Sequence, residues 1–283
     1  MEGLGKKHEL SVLLSIAGLP KSTYYDNLSN REKRQHKDDV LMNEIKGIFE
    51  RNYRKYGSPR VTIELKSIGM AINEKKVARV MRKYHVSAVP KAKRYCSYKG
   101  EVGVTAPNLV KRHFDRGITG VVFGTDVTQF RIGDMKLYLS PVIDFHTREI
   151  VAYDLSEHPN MHQIKRMMNG LAENASMPLT GAIMHSDQGW QYQQKWFQDF
   201  LKEHGMRQSM SRKGNCLDNS PTENFFGRLK EEVFYGQEWR YETISNLKKA
   251  IVRWIDYYNH ERIVTVLRTS PIKFRSQSLE IAL

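Results

Sequence analysis

Three carboxylates in this chain sit where a purely structural role is hard to supply. Asp126 interrupts an apolar stretch between Val121–Phe123 and Phe130, Asp187 comes at the end of TGAIMHSD, and Glu223 opens the helical run SPTENFFGRLK. A carboxylate in a central strand is costly to bury unless something compensates it. Three gathered in one pocket raise one another's pKa until a cation joins them. Mg²⁺ suits such a pocket, because it takes hard oxygen ligands, accepts one or two carboxylates, and keeps sites for water and phosphate. Two ions about 4 Å apart can activate a nucleophile and stabilise the leaving oxygen of an in-line phosphoryl displacement. The chain holds no Ser-His-Asp or Cys-His arrangement and no GxxxxGK[ST] loop to compete with that chemistry.

Each of these residues also has a plainer reading. Ser220-Pro221-Thr222-Glu223 has the pattern of a capping box, with Ser220 as N-cap, Pro221 at the first helical position and Glu223 at the third. Asp218 is a rival third ligand, or else a turn former in its Asp-Asn pair. Lys230 follows Glu223 by seven residues, about two turns, so the two share a helix face. It is either a phosphate contact or a solvent lysine. His185, two residues before Asp187, is either a ligand contact or a satisfied core histidine, and Asp144 reads as a turn residue. His158 and His162 have an H-x3-H spacing without a cysteine pair, and Cys96 and Cys216 stand far apart. That usage fits a reducing cytoplasm and predicts no structural zinc.

The elements that must position the acids can be read from periodicity. GVVFGTDVTQF, KLYLSPVIDF and EIVAYDLSE read as three strands with short hairpin joins. A helix follows with Ile164, Met167, Met168 and Leu171 inward, then a fourth strand, TGAIMHSD. A helix with Phe197, Phe200 and Leu201 inward ends at Gly205, and MRQSMS is a fifth strand. The loop after it feeds the Glu223 helix. A last helix near 243–259 turns Ile244, Leu247, Ile251, Trp254, Ile255 and Tyr258 inward. This order predicts an α+β domain with a mixed five-stranded sheet. Asp126 and Asp187 then come from neighbouring strands, with Glu223 arriving from a helix.

The first part of the chain differs in kind. Residues 1–116 hold 25 Lys/Arg against 12 Asp/Glu, whereas 117–283 hold 20 against 19, so the net charge of +14 sits almost wholly in front. A basic region joined to a near-neutral domain points to nucleic acid. Residues 8–26 read as two short helices about a Gly-Leu-Pro turn, and 38–52 as a separate helix. YGSPR is a turn, followed by helices near 60–68 and 74–85, the latter capped by Asn73. Val77, Val80, Met81 and Tyr84 form its core face, leaving Lys75, Lys76, Arg79, Arg82 and Lys83 largely outside it. This is a helix-turn-helix candidate with the basic helix as groove reader. Residues 88–116 lack periodicity and read as a basic linker. The expected division is a helical region at 1–52, a helix-turn-helix segment at 53–90, a linker at 91–116 and a catalytic core with a C-terminal helical extension at 117–283. No apolar run approaches a membrane span.

The strings GTDVTQF, HSDQGWQY, SMSRKGNCLDNSPTENFFGRLKEE and YYNHERIVTVLRTSPIKF, in that order, resemble the transposase OrfB of the IS-three family of insertion sequences. YGSPRVTIELKSIGMAINEKKVARVMRKY is similar to that family's helix-turn-helix segment, and the resemblance runs from about residue 10 nearly to the end. It implies a ribonuclease H-like, retroviral-integrase-like core with Asp126, Asp187 and Glu223 as catalytic and metal-binding acids, 35 residues separating the last two. It implies Lys230, Asn259 and Arg262 as DNA-contacting positions. It further implies Mg²⁺, two ions with Mn²⁺ substituting, and a route that joins the element's ends before inserting into target DNA. The partners it implies are terminal-repeat and target DNA, OrfA or an OrfA–OrfB fusion, and further copies of the chain on DNA, in the nucleoid of a bacterial cytoplasm. Two departures are visible. Trp190 stands where a small residue is usual after HSDQG, and SPTENFF replaces the usual small-residue and Glu-Ser wording. The rival readings are a ribonuclease H-like nuclease and a non-catalytic DNA-binding regulator of transposition.

Overall fold

A computed structural model describes residues 9–88, 105–212 and 216–281. The chain divides into two compact units, Met1–Val89 and Pro90–Leu283. Cys96 and residues 91–104 of the expected linker lie outside the described residues.

The first unit is helical: α1 (Leu10–Ile16), α2 (Lys21–Arg51), α3 (Ser58–Ser67) and α4 (Glu74–Lys83). The second short helix expected within 8–26 and the separate helix at 38–52 are one continuous helix of 31 residues. The stretch between them, NLSNREKRQHK, has no Gly or Pro and is rich in good helix formers, but its polarity hides the 3.6-residue period. Buried apolar side chains appear only in its second half, at Leu41, Met42, Ile45, Ile48 and Phe49. Val61 and Leu65 of α3 and Val77, Val80 and Met81 of α4 are buried too. The α3–α4 turn uses Gly69 at φ +88°, and the Asn73 side chain caps α4 by accepting from the Lys76 N–H at 2.9 Å.

The second unit is a mixed sheet covered on both faces. Its strands are β1 (Val122–Thr125), β2 (Thr128–Ile132), β3 (Met135–Asp144), β4 (Ile150–Ser156), β5 (Ile183–Ser186) and β6 (Arg207–Met210). The helices are α5 (Met161–Asn174), α6 (Lys195–Glu203), α7 (Ser220–Leu229), α8 (Ile244–His260) and α9 (Pro271–Ile281). The sheet has six strand segments rather than the five expected, because the first strand is divided at Asp126-Val127. β1 and β2 pair antiparallel with the same edge of β3 in one unbroken register, from Phe123 opposite Asp144 to Ile132 opposite Met135. The other edge of β3 pairs with β4, while β5 joins β1 and β6 joins β5 in parallel. Alternate residues divide between two cores. Val122, Leu139 and Ile183 pack with Phe225, Leu229 and Trp254 on one side, and Phe123, Val142 and Met184 pack with Met168, Leu171 and Phe197 on the other.

Residues 105–116 also belong to this unit. Val110 is fully buried, the Leu109 N–H donates to Ser209 Oγ at 2.9 Å, and the Asn108 amide reaches Asp218. Single backbone and side-chain contacts hold the segment, so it has no period to read. No helix among the described residues is long and apolar enough to cross a membrane.

Candidate active site

Asp126 and Asp187 each lie one residue beyond the carboxyl end of a strand, β1 and β5. Those strands run parallel with Val122 beside Ile183 and Gly124 beside His185, so the register carried forward sets Asp126 against Asp187. The carboxyl ends of parallel strands are where open α/β sheets gather ligands. Local backbone orients each acid: Asp126 Oδ1 accepts from the Val127 N–H at 2.7 Å, and Asp187 Oδ1 from the Gly189 N–H at 2.8 Å. A Cβ at residue 189 would sit 2.8 Å from Asp187 Oδ1 and 2.5 Å from Gln191 Nε2, so a side chain there would crowd the aspartate and displace the Gln191 amide.

The two carboxylates are in tension. Burial pushes Asp126 well above the usual carboxylate range, and the charges of Asp187 and Glu223 push it further. Burial raises Asp187 as well. Among the described residues neither acid has an ion-pair partner, although the field of Lys230 opposes the rise at Asp126. Lys230 lies with Nζ 5.4 Å from the Phe130 ring centre, and burial lowers its pKa. Beneath the pair, the fully buried Tyr192 hydroxyl is 3.4 Å from Thr125 Oγ1. Its ionisation is suppressed by burial and then by both aspartates.

Glu223 is exposed on the first turn of α7. The expected capping box does not form: α7 begins at Ser220, its N-cap is Asn219, and no side chain caps it. α7 comes close to β1 because residue 124 is glycine; a Cβ there would lie 2.0 Å from the Phe145 ring and 3.0 Å from Thr222 Oγ1. The start of α7 is held by Asp218, whose carboxylate takes Arg112 at 2.9 Å, Arg212 at 2.8 Å and the Asn108 amide at 3.2 Å. The Arg212 guanidinium, with Arg112 behind it, holds the Asp218 carboxyl far below the usual range. Asp218 is therefore an anchor with its valences filled, not a third metal ligand. Its carbonyl accepts from His185 Nε2 at 2.8 Å, so that nitrogen carries the hydrogen and Nδ1 accepts from Ser209 Oγ at 2.9 Å. His185 is a satisfied core histidine, kept neutral by burial.

Asn219 is the neighbour that sequence reasoning missed, because an Asn after an Asp looks like an ordinary turn. Its Nδ2 faces Asp126 Oδ2 at 3.5 Å, and its Oδ1 is buried without a partner among the described residues. Two hard carboxylates without an ion pair and an orphaned amide oxygen beside one of them fit a hydrated divalent cation. The fit is to an open site: among the described residues no three Asp, Glu, His or Cys side chains already form a cage.

Asn259 and Arg262, expected at the DNA, face inward instead. Asn259 grips the backbone of Ile150 through both amide atoms, at 3.0 and 2.9 Å. Arg262 is fully buried and forks onto the buried carboxylate of Glu232 at 2.6 and 2.9 Å. Asp144 is likewise internal, accepting from Thr119 Oγ1 at 2.8 Å and the Gly120 N–H at 2.7 Å. In the helical unit Lys75, Lys76, Arg79 and Arg82 are all exposed on α4. Arg79 is steadied by Asp38 at 2.6 Å, and with Arg31, Arg34 and Lys83 it lines a cleft between α2 and α4.

Comparison with known proteins agrees with this arrangement. Residues 120–216 and 223–279 match the family "Integrase core domain", and 35–94 match "HTH-like domain". The chain is 44% identical to the putative transposase InsK for insertion sequence element IS150 of Escherichia coli, over 96% of this chain and 95% of that one. It is 30% identical to the transposase InsF for insertion sequence IS3A of the same organism, over 89% and 86% of the two chains. An uncharacterized transposase-like protein of Haemophilus influenzae is 50% identical over 74% of this chain and 95% of its own. The chain thus belongs to the insertion-sequence transposases of the IS-three family, DNA transposases with an integrase-type polynucleotidyl-transferase core and a helix-turn-helix-like segment.

Proposed function

We propose that Asp126, Asp187 and Glu223 are the catalytic carboxylates of this transposase and that they work with Mg²⁺, two ions, for which Mn²⁺ substitutes. Integrase-type cores generally depend on divalent metal. The observation that carries the assignment is the pairing of Asp126 with Asp187 at the ends of parallel strands, each pushed toward protonation with no ion-pair partner among the described residues. Bound there, the ions supply activation of water or a DNA 3′ hydroxyl and stabilisation of the leaving 3′ oxygen. Asp126 and Asp187 would hold the cations, Glu223 would add its carboxylate from the first turn of α7, and Lys230 would take a phosphate near the cut end. Asn219 and Tyr192 border the acids. The reaction is strand cleavage and strand transfer at insertion-sequence ends.

The exposed Lys75, Lys76, Arg79 and Arg82 bind DNA from α4. The sequence-based boundaries at 52, 90 and 116 remain our working division, with 105–116 counted structurally with the core. OrfA or an OrfA–OrfB fusion, and further copies of this chain, assemble with it on terminal-repeat and target DNA in the bacterial nucleoid. The test is Mn²⁺-dependent nicking of a supercoiled plasmid carrying the element ends, wild type beside Glu223→Gln. Nicking by the wild type alone supports the assignment. Equal nicking by both removes Glu223 from the set.

A further inference from the structure

The residue just before α7 makes a costly choice. Asn is among the best helix N-caps, its side-chain oxygen normally accepting an N–H of the first turn. Asn219 occupies the N-cap position, yet its side chain makes no cap bond. It turns to β1 instead, with Nδ2 3.5 Å from Asp126 Oδ2. The amide turns its nitrogen to Asp126, the side that an ionised, cation-bound carboxylate takes as its donor. Oδ1 is thereby left buried and without a partner among the described residues, in a residue that is only 4% exposed. Buried acceptors are nearly always satisfied, and an exception calls for a ligand or water. One turn on, Thr222 Oγ1 is a second buried oxygen without a partner, and it lies against Gly124 of β1. Positions 219, 222 and 223 share one flank of the helix start. The flank that carries Glu223 thus also presents two unfilled acceptors to the end of β1.

We propose that Asn219 is a positioning residue of the metal site. Its Nδ2 steers the Asp126 carboxylate, and its Oδ1 accepts a hydrogen bond from a water carried by the divalent cation on Asp126. The cation's water would then satisfy the acceptor that the side chain does not spend on a cap. This rests on the carboxylate assignment above.

The experiment is Mn²⁺ binding to the full-length chain without DNA, read by the loss of free-ion EPR signal, beside the thermal midpoint in EDTA. Wild type binds. Asn219→Ala is expected to weaken Mn²⁺ on the order of 10-fold, the usual effect of removing a group that orients a metal's shell. Its midpoint in EDTA stays level or rises, because an unpaired buried acceptor has gone. Asn219→Asp keeps an oxygen in the same place and retains Mn²⁺ affinity within a few-fold. Wild-type affinity in Asn219→Ala overturns the proposal while leaving the carboxylate assignment standing. So does a fall in its EDTA midpoint with unchanged affinity, which marks a packing role. No Mn²⁺ binding by the wild type, or equal Mn²⁺ binding by Asp126→Asn and wild type, overturns both.

Discussion

Replacing Arg262 by methionine should cost stability, and the structure says how much. Glu232 lies in a single π-helical turn, Lys230–Phe234, that continues α7. Its carboxylate is buried and is met by Arg262 Nη2 at 2.6 Å, Arg262 Nε at 2.9 Å and Trp254 Nε1 at 2.9 Å. Arg262 and Trp254 are themselves fully buried. Removing one partner of such a pair strands the other charge and costs about 3–5 kcal/mol. For a unit the size of Pro90–Leu283, each kcal/mol moves the midpoint by about 2–4 °C, so calorimetry should show a drop of roughly 6–20 °C. The double variant Glu232→Gln/Arg262→Met removes both charges and should recover most of that loss. Arg262→Lys keeps the charge but loses the fork and should fall between. A DNA contact makes the opposite forecast: an unchanged midpoint with weaker binding. Arg262→Met unfolding within about 1 °C of wild type would refute the buried-pair reasoning.

Other outcomes follow from the same coordinates. The folded-state pKa of Asp126 is raised above its ordinary 3.8, so the folded protein holds more protons than the unfolded chain, and stability falls as pH rises above that value. In EDTA, the midpoint advantage of Asp126→Asn over wild type should therefore widen as pH climbs above about 4, and Mn²⁺ should narrow it; a pH-independent gap refutes the coupling. Gly124→Ala places a methyl 2.0 Å from the buried Phe145 ring and should cost at least the roughly 1–3 kcal/mol typical of overpacking, measured by urea unfolding. Asp218→Asn should lose about 1–3 kcal/mol, a discounted figure because Arg112 and Arg212 are partly solvated, and should slow nicking by loosening the start of α7.

What could be read in advance was whatever has a period or a fixed cost. The cores of α4, α5, α6 and α8 announced themselves at helical spacing, and the buried positions match except at Tyr84, which caps the end of α4 half-buried. Asp126 was conspicuous because a charge in an apolar strand has no cheap explanation, and the structure locates the break in that strand at this residue and the next. What stayed hidden has neither signal. The polar first half of α2 carries no apolar stripe, because little of it packs on anything. Arg262 looked like a DNA contact because arginine in a polar motif is ambiguous, and only the distant Glu232 decides the matter. Asn219 and Asp218 stand side by side as an apparent turn, yet one is lashed to two arginines and the other faces Asp126. Arg212 is only six residues from Asp218, but Arg112, Asn108 and Asp126 are roughly a hundred residues from the side chains they meet, and single-sequence reading does not reach that far. The same long reach explains why residues 105–116 fold with the core: Asn108 and Arg112 close on Asp218, so the segment that leads into the core also sets the helix bearing Glu223. A strain on that lead-in segment would therefore be felt at Asp218 and so at the start of α7.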